Sequence, residues 1–218
     1  MMNILVLCGD EWHPAEVVQR GMKGLEKHGF TFDFVEDAKD ILTPDMLDKY
    51  PVIINCKSDD ITHGNVHNWF DKGTTEVMPA DFEAWVKKGG GFLSVHAGAA
   101  FHADDASGYK EFLGCYFIKH PPRCQVEVRM AAEHPVTHGV EDFTIRDEHY
   151  ELGLVAQDVQ LLCTTHSATG GDQVGGYVRE MGQGRVCMLA PGHILSVWEH
   201  PAYQKMLVNA IRWCAKEM

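Results

Sequence analysis

Several signatures are missing from this chain, and each absence removes a class of function. There is no G-x-x-x-x-G-K-[ST] phosphate loop, no H-E-x-x-H zinc motif and no G-x-S-x-G nucleophile elbow. The triplet Gly89-Gly90-Gly91 precedes an apolar strand instead of following one, which is the wrong order for a dinucleotide fingerprint. No run approaches the ~18 apolar residues of a membrane span. The stretch Met1–Cys8 lacks the basic region and the apolar length of a signal peptide. Basic residues are outnumbered, with 19 Lys+Arg against 31 Asp+Glu and a net charge of -12. Nucleic acid and anionic membrane both need a basic patch, so neither is expected as a partner. The seven cysteines are odd in number, widely spaced and without a C-x-x-C. That pattern reads as reduced, mostly buried thiols of a cytoplasmic protein, not a disulfide frame.

What is present is an ordinary globular composition, 45% hydrophobic and 23% charged over 218 residues. A chain of that length buries roughly 70% of its unfolded surface and needs no staple. With no composition shift, repeat or linker, one domain over residues 1–218 is expected. The apolar runs Ile4–Cys8, Val52–Cys56 and Phe92–His96 read as buried parallel strands, and Phe30–Val35 as a further strand. Helical patterns separate them: Pro14 to Gly29 with Val17, Val18, Met22 and Leu25, a short helix opened by Thr43-Pro44, and Pro79–Lys88. Residues 57–78 are polar and read as a long loop containing Gly64, His67, Asn68 and Gly73. Strand-helix alternation over the first ~100 residues predicts a doubly wound, mostly parallel sheet. The second half is richer in strands: Gln125–Met130, Phe143–Tyr150, Val159–Thr165, and a hairpin of Tyr177–Glu180 and Arg185–Leu189 around Met181-Gly182-Gln183-Gly184. Pro201–Lys216 closes the chain as a helix.

Ligands of parallel sheets bind at the carboxyl ends of strands. Four such ends carry imidazole or carboxylate here. The first strand leads to Asp10-Glu11-Trp12-His13-Pro14, the fourth ends at His96, Phe143–Tyr150 delivers Asp147-Glu148-His149-Tyr150, and Arg185–Leu189 runs into Pro191-Gly192-His193. Alternation sends Glu148 and Tyr150 to one face and Asp147 and His149 to the other. His13, His96, Glu148 and His193 suit a divalent transition metal such as zinc, iron, nickel or manganese. The same groups without a metal form an acid/base set. These residue types do not separate the two. Convergence of the histidine nitrogens to within about 6 Å would favour the metal.

The segments Trp12-His13-Pro14, Gly89–His96, His134-Pro135-Val136-Thr137-His138-Gly139, Asp147–Tyr150, Gly184-Arg185-Val186, Pro191-Gly192-His193 and His200-Pro201-Ala202-Tyr203 with Asn209–Trp213 together resemble the ThuA family, the trehalose-utilisation proteins. The resemblance covers nearly the whole chain. It implies a flavodoxin-like α/β fold of the class I glutamine-amidotransferase type, a place in sugar catabolism, and functional roles for His13, His96, Glu148, Tyr150 and His193. Amidotransferase relatives place a cysteine where His96-Ala97-Gly98 stands here, so glutaminase chemistry is not expected.

Joined to the strand-end residues, the resemblance implies an enzyme acting on keto-sugars or keto-glycosides. A ketone at C3 acidifies the C2 proton, which Glu148 or a histidine removes. A metal on His13, His96, His193 and Glu148 stabilises the developing oxyanion, and Tyr150 or a histidine protonates the departing oxygen. Glycoside cleavage or isomerisation results. Trp12, Trp69, Tyr150 and Trp198 are candidates for a sugar-stacking face, with core packing as the competing role. Two other functions stay open: a non-catalytic sugar-binding domain, and a cysteine hydrolase using Cys8 or Cys56. A homodimer fits this kind of fold.

Overall fold

The computed structural model describes residues 1–60 and 68–218, with the side chain of Asp40 left aside. Gly64 and His67 of the anticipated 57–78 loop lie outside the described residues.

The chain forms β1 (Met2–Cys8), α1 (Ala15–Lys23), β2 (Phe30–Val35), α2 (Ala38–Ile41), α3 (Pro44–Leu47), β3 (Val52–Cys56), α4 (Pro79–Lys87) and β4 (Gly91–Val95). It continues through α5 (Tyr109–Leu113), β5 (Cys115–Lys119), β6 (Cys124–Met130), β7 (Phe143–Asp147), β8 (Glu151–Leu154), β9 (Gln160–Ser167), β10 (Gly171–Met181) and β11 (Gly184–Leu189). The last elements are α6 (Leu195–Trp198) and α7 (Pro201–Cys214).

Nine strands form one sheet in the order β2-β1-β3-β4-β11-β10-β9-β6-β7. From β2 to β11 every neighbouring pair is parallel, and from β11 to β7 every pair is antiparallel. The all-apolar runs fall in the parallel half because helices cover both of its faces. Ile4, Val6 and Cys8 of β1 and Leu93 and Val95 of β4 pack on one side with Val18 and Met22 of α1 and Met206, Leu207 and Ile211 of α7. Leu5, Leu7, Ile53 and Phe92 pack on the other with Phe82, Trp85 and Val86 of α4 and Tyr109 and Phe112 of α5. In the antiparallel half, β6 alternates, burying Val126 and Val128 and exposing Gln125 and Glu127. The predicted hairpin is β10–β11, and β10 begins earlier than expected, at Gly171.

The first crossover leaves β1 toward α1, and the connection after β3 leads to α4 on the opposite face. Loops after β1 and β3 therefore diverge, which opens a crevice at the carboxyl ends of the central strands.

Two anticipated strands stop short. Phe92–His96 ends at Val95, because His96 turns to φ 48 in the left-handed region and starts a 3-10 turn, His96–Ala99. Phe143–Tyr150 ends at Asp147, which leaves Glu148 and Tyr150 in a turn before β8. The first helical pattern breaks at Gly24 into α1 and a 3-10 turn, Glu26–His28. The small sheet β5–β8 and helix α5 were not anticipated, their strands being four and five residues long.

Candidate metal centre

β1 ends at Cys8, and the chain turns through Asp10, whose carboxylate organises the start of the next loop. Its Oδ1 accepts the backbone N–H groups of Trp12 and His13, each at 2.8 Å. Its Oδ2 accepts the N–H of Ser58, just beyond β3, at 2.8 Å. Burial opposes ionisation of Asp10, but these donors and His13 offset it and hold the carboxyl below its usual range. The same carboxylate lies 2.8 Å from His13 Nδ1. A carboxylate there receives the Nδ1 proton, which leaves the Nε2 lone pair free on the cleft side. The Tyr150 hydroxyl donates to that Nε2 at 3.3 Å.

His96 is built differently. Its left-handed backbone conformation is unusual outside glycine and turns the chain sharply off β4. Only small residues fit the turn: a Cβ on Gly98 would stand 2.2 Å from the carbonyl oxygen of Asn55. His96 Nδ1 donates to the carbonyl of Ala190 at 2.8 Å, which turns Nε2 toward Glu148. That Nε2 is buried and has no hydrogen-bond partner among the described residues. Burial pushes the imidazole below its ordinary pKa, against the opposing pull of Glu148 and Asp147.

Beyond β11, Pro191-Gly192 turns the chain so that the Gly192 and His193 N–H groups both donate to Asp147, at 2.8 and 3.1 Å. His193 Nδ1 is buried and lies 3.2 Å from Glu148 Oε2 without the alignment of a hydrogen bond. Glu148 Oε2 is also 3.5 Å from His96 Nε2. Although burial opposes it, the contact with His193 and His96 holds the Glu148 carboxyl far below its usual pKa. Alternation placed these side chains correctly even though the strand ends earlier. Glu148 and Tyr150 face the crevice, Asp147 lies beneath the loop after β11, and His149 is buried against Ser167 and Thr165.

One ligand atom each from His13, His96, Glu148 and His193 lies within 4.8 Å of all the others. The three imidazole rings are mutually edge-on, with centroids 5.1, 5.2 and 5.4 Å apart and interplanar angles of 76°, 82° and 67°. Imidazole and carboxylate are the ligand types a divalent transition ion takes, and these four residues are the ones that would hold it. Buried polar atoms without partners are rare and require an explanation. Here two buried imidazole nitrogens, His96 Nε2 and His193 Nδ1, face one carboxylate and a third imidazole. Asp10 behind His13 and the Ala190 carbonyl behind His96 are the outer partners that metal-bound histidines use. The donor set fits a divalent transition ion.

The centre opens into a cleft of about 500 Å³ whose walls include Trp12, Ser58, Asp60, His102, His120 and Tyr150. Beyond Asp60 and His102 it continues into a hollow of about 750 Å³ rimmed by further aspartates. His120, just beyond β5, was missed in the sequence. Its Nδ1 donates to the Pro121 carbonyl at 2.8 Å, and its Nε2 faces Glu148 Oε2 at 3.6 Å. A five-residue, half-exposed strand carries no strong pattern, so nothing nearby marked it. Trp69 and Trp198, anticipated as stacking candidates, are core residues at 0% and 1% exposure. Tyr150 is 3% exposed and its ring stacks on His96 at 4.1 Å, so it offers its hydroxyl and not its face. Cys8 and Cys56 are buried, and burial pushes Cys8 up to about 12 and Cys56 well above its ordinary value. Neither forms a thiolate readily, which removes the basis for a cysteine hydrolase.

Residues 3–214 match the sequence profile of the ThuA family, described as trehalose utilisation. The chain belongs to the ThuA family. Among solved structures, a putative ThuA-like protein from Bacteroides uniformis superposes with a TM-score of 0.75 at 22% identity, covering 98% of this chain and 91% of the other. A second, from Parabacteroides merdae, gives 0.73 at 17% identity over 99% and 90%. A cold-adapted β-galactosidase from Rahnella sp. R3 gives 0.65 at 12% identity, with 97% of this chain on 31% of that one. At these identities the superpositions establish the shared fold. No protein of curated function matches the chain at a significant level. Among the described residues of this ThuA protein, no helix is long and apolar enough to cross a membrane.

Proposed function

We propose that this ThuA protein is a metal-dependent enzyme of the cytoplasm that acts on keto-sugars or keto-glycosides by removing the proton next to the ketone. The observation that carries this reading is the pair of buried, partnerless nitrogens, His96 Nε2 and His193 Nδ1, aimed with His13 at Glu148. The family's link to sugar utilisation supports the substrate class. A divalent transition ion held by His13, His96, His193 and Glu148 supplies Lewis acidity toward the sugar's oxygens.

The residues around it divide the remaining work. Glu148 is engaged by His96 and His193, so the C2 proton goes to His120, which lines the cleft beside it. The electron pair left at C2 is shared with the C3 ketone. Burial raises the Tyr150 phenol well above its ordinary pKa, so it stays protonated at neutral pH. Its hydroxyl is freed from His13 when that nitrogen is otherwise occupied, and it then donates to the oxygen leaving C1. Loss of that oxygen and addition of water cleave a glycoside, whereas return of the proton elsewhere isomerises a free sugar.

The test has two independent readouts. Elemental analysis of protein purified without chelator should give about one transition ion per chain, abolished by Glu148→Gln with His96→Asn. In deuterium oxide, a 3-keto glucoside should exchange its C2 proton, and chelator should stop the exchange. Absence of both metal and exchange over a panel of keto-sugars would refute the enzyme and leave a sugar-binding domain as the better account.

A further inference from the structure

We infer that Trp12 is the platform on which the cleft holds a pyranose ring, by stacking of the indole against the ring's C–H face. The inference rests on the carbohydrate reading above and adds the recognition element. Trp12 is 65% exposed, whereas Trp69, Trp85, Trp198 and Trp213 are at most 6% exposed. An indole left in water is a large unfulfilled apolar surface. This one forms part of the cleft wall beside His13, where Ala100 and Phe117 add apolar surface and Ser58, Asp60, His102, His120 and Glu148 supply polar groups. An exposed indole beside carboxylates, imidazoles and a hydroxyl matches a sugar, which has a C–H face and a hydroxyl rim. It does not match a planar apolar ligand, which would strand those polar groups.

The platform is also fixed in place. The Trp12 N–H donates to Asp10 Oδ1 at 2.8 Å, the Asp10 N–H donates back to the His13 carbonyl at 3.2 Å, and Pro14 comes next. The carboxylate that orients His13 therefore also sets the backbone of Trp12. Stacking on a pre-ordered loop loses little conformational freedom on binding. Since Trp12 adjoins His13, the ring it holds is the one presented to the four converging side chains.

Fluorescence tests this directly, because four of the five tryptophans are buried and the collisional quencher iodide samples Trp12. On chelator-stripped protein, methyl β-D-glucopyranoside and methyl α-D-glucopyranoside are the probes, with the open-chain polyol glucitol as control. The expected result is that at least one pyranoside lowers the quenching constant several-fold at saturation and glucitol does not. Trp12→Phe should keep binding within about threefold, and Trp12→Ala should weaken it about tenfold, measured by calorimetry, with unchanged circular dichroism and melting temperature. In the C2-exchange assay, Trp12→Ala should raise KM about tenfold with kcat within threefold. The inference is overturned if neither pyranoside shields the indole, if glucitol shields it equally, or if Trp12→Ala binds as tightly as wild type. Shielding that grows with protein concentration in the absence of sugar also overturns it, by assigning Trp12 to a self-contact. Failure of the enzyme reading looks different: pyranoside shielding persists while metal and C2 exchange are absent.

Discussion

His96 sits in a backbone conformation that costs of order 1 kcal/mol outside glycine, and the carbonyl of Ala190 fixes its ring. Asparagine tolerates the same conformation and its amide can still donate to Ala190. His96→Asn should therefore leave the urea stability of chelator-stripped protein within about 1 kcal/mol of wild type. Metal content should fall at least tenfold. A parallel loss of fold and metal would mean that the imidazole serves packing. A second residue makes a stability prediction with a pH signature. Lys57 is 1% exposed, its ammonium donates to the Ser58 carbonyl at 3.1 Å and it lies 4.5 Å over the Trp69 ring. Burial lowers its pKa to about 8, against the opposing pull of Asp10, Asp59, Asp37 and Asp60. Between pH 8 and the unfolded value near 10.5, the unfolded chain binds the extra proton, so Lys57's contribution rises with pH across that window and is lost as pH falls to 8. Buried cysteines titrate oppositely there, so the comparison must be with Lys57→Met, which removes only the amine. Wild type should gain on the variant by up to about 1.4 kcal/mol per pH unit between about 8 and 10 in urea unfolding. A constant difference would show that burial does not lower the amine's pKa, because folded and unfolded chains would then bind the same number of protons across that window.

At the scale of elements, legibility followed the strength of the pattern. β1, β3 and β4 were read almost to the residue, because strands buried on both faces must be apolar throughout. Their ends were read less well, since His96 and Glu148 belong to turns whose geometry comes from tertiary partners: Ala190 for one, the loop holding Asp147 for the other. The four converging side chains were nevertheless legible, because strand ends of a parallel sheet meet at one crevice. His120 was not, since β5 is a short strand of a separate two-stranded sheet. The segment His134–Gly139 stood out in the sequence but lies away from the centre. Its 3-10 turn, Pro135–Thr137, is capped by His134, whose Nδ1 accepts the Val136 N–H. Asn209 of α7 donates to the carbonyls of both Val136 and His138, each at 3.1 Å. The motif is thus a latch tying a connection to the closing helix. Asn209→Ala strands two carbonyls and should destabilise the protein by about 1–3 kcal/mol in urea unfolding. It should leave metal content unchanged, and loss of metal in this variant would assign the latch to the site instead.

At the scale of the molecule, the net charge of -12 is not evenly remote from the chemistry. Asp60 and Glu148 line the cleft, and Asp59, Asp71, Asp104 and Asp105 rim the hollow that continues from it. Low-dielectric walls focus such a field into the space where a substrate enters. A neutral keto-sugar crosses this field without penalty, whereas a phosphorylated one carries up to two negative charges into it. The kcat/KM for a 3-keto glucoside should therefore exceed that for its 6-phosphate by at least tenfold in ~0.01 M salt, where the Debye length is about 30 Å. In ~1 M salt the Debye length falls to about 3 Å, and the ratio should shrink severalfold, because distant carboxylates no longer act at the cleft. A ratio that stays large and constant with salt would place the discrimination in direct contacts of the cleft walls. A ratio near one at low salt would mean that the positive charge of a bound ion outweighs the surrounding aspartates. In that case the acidity of this chain governs its solubility and not its choice of substrate.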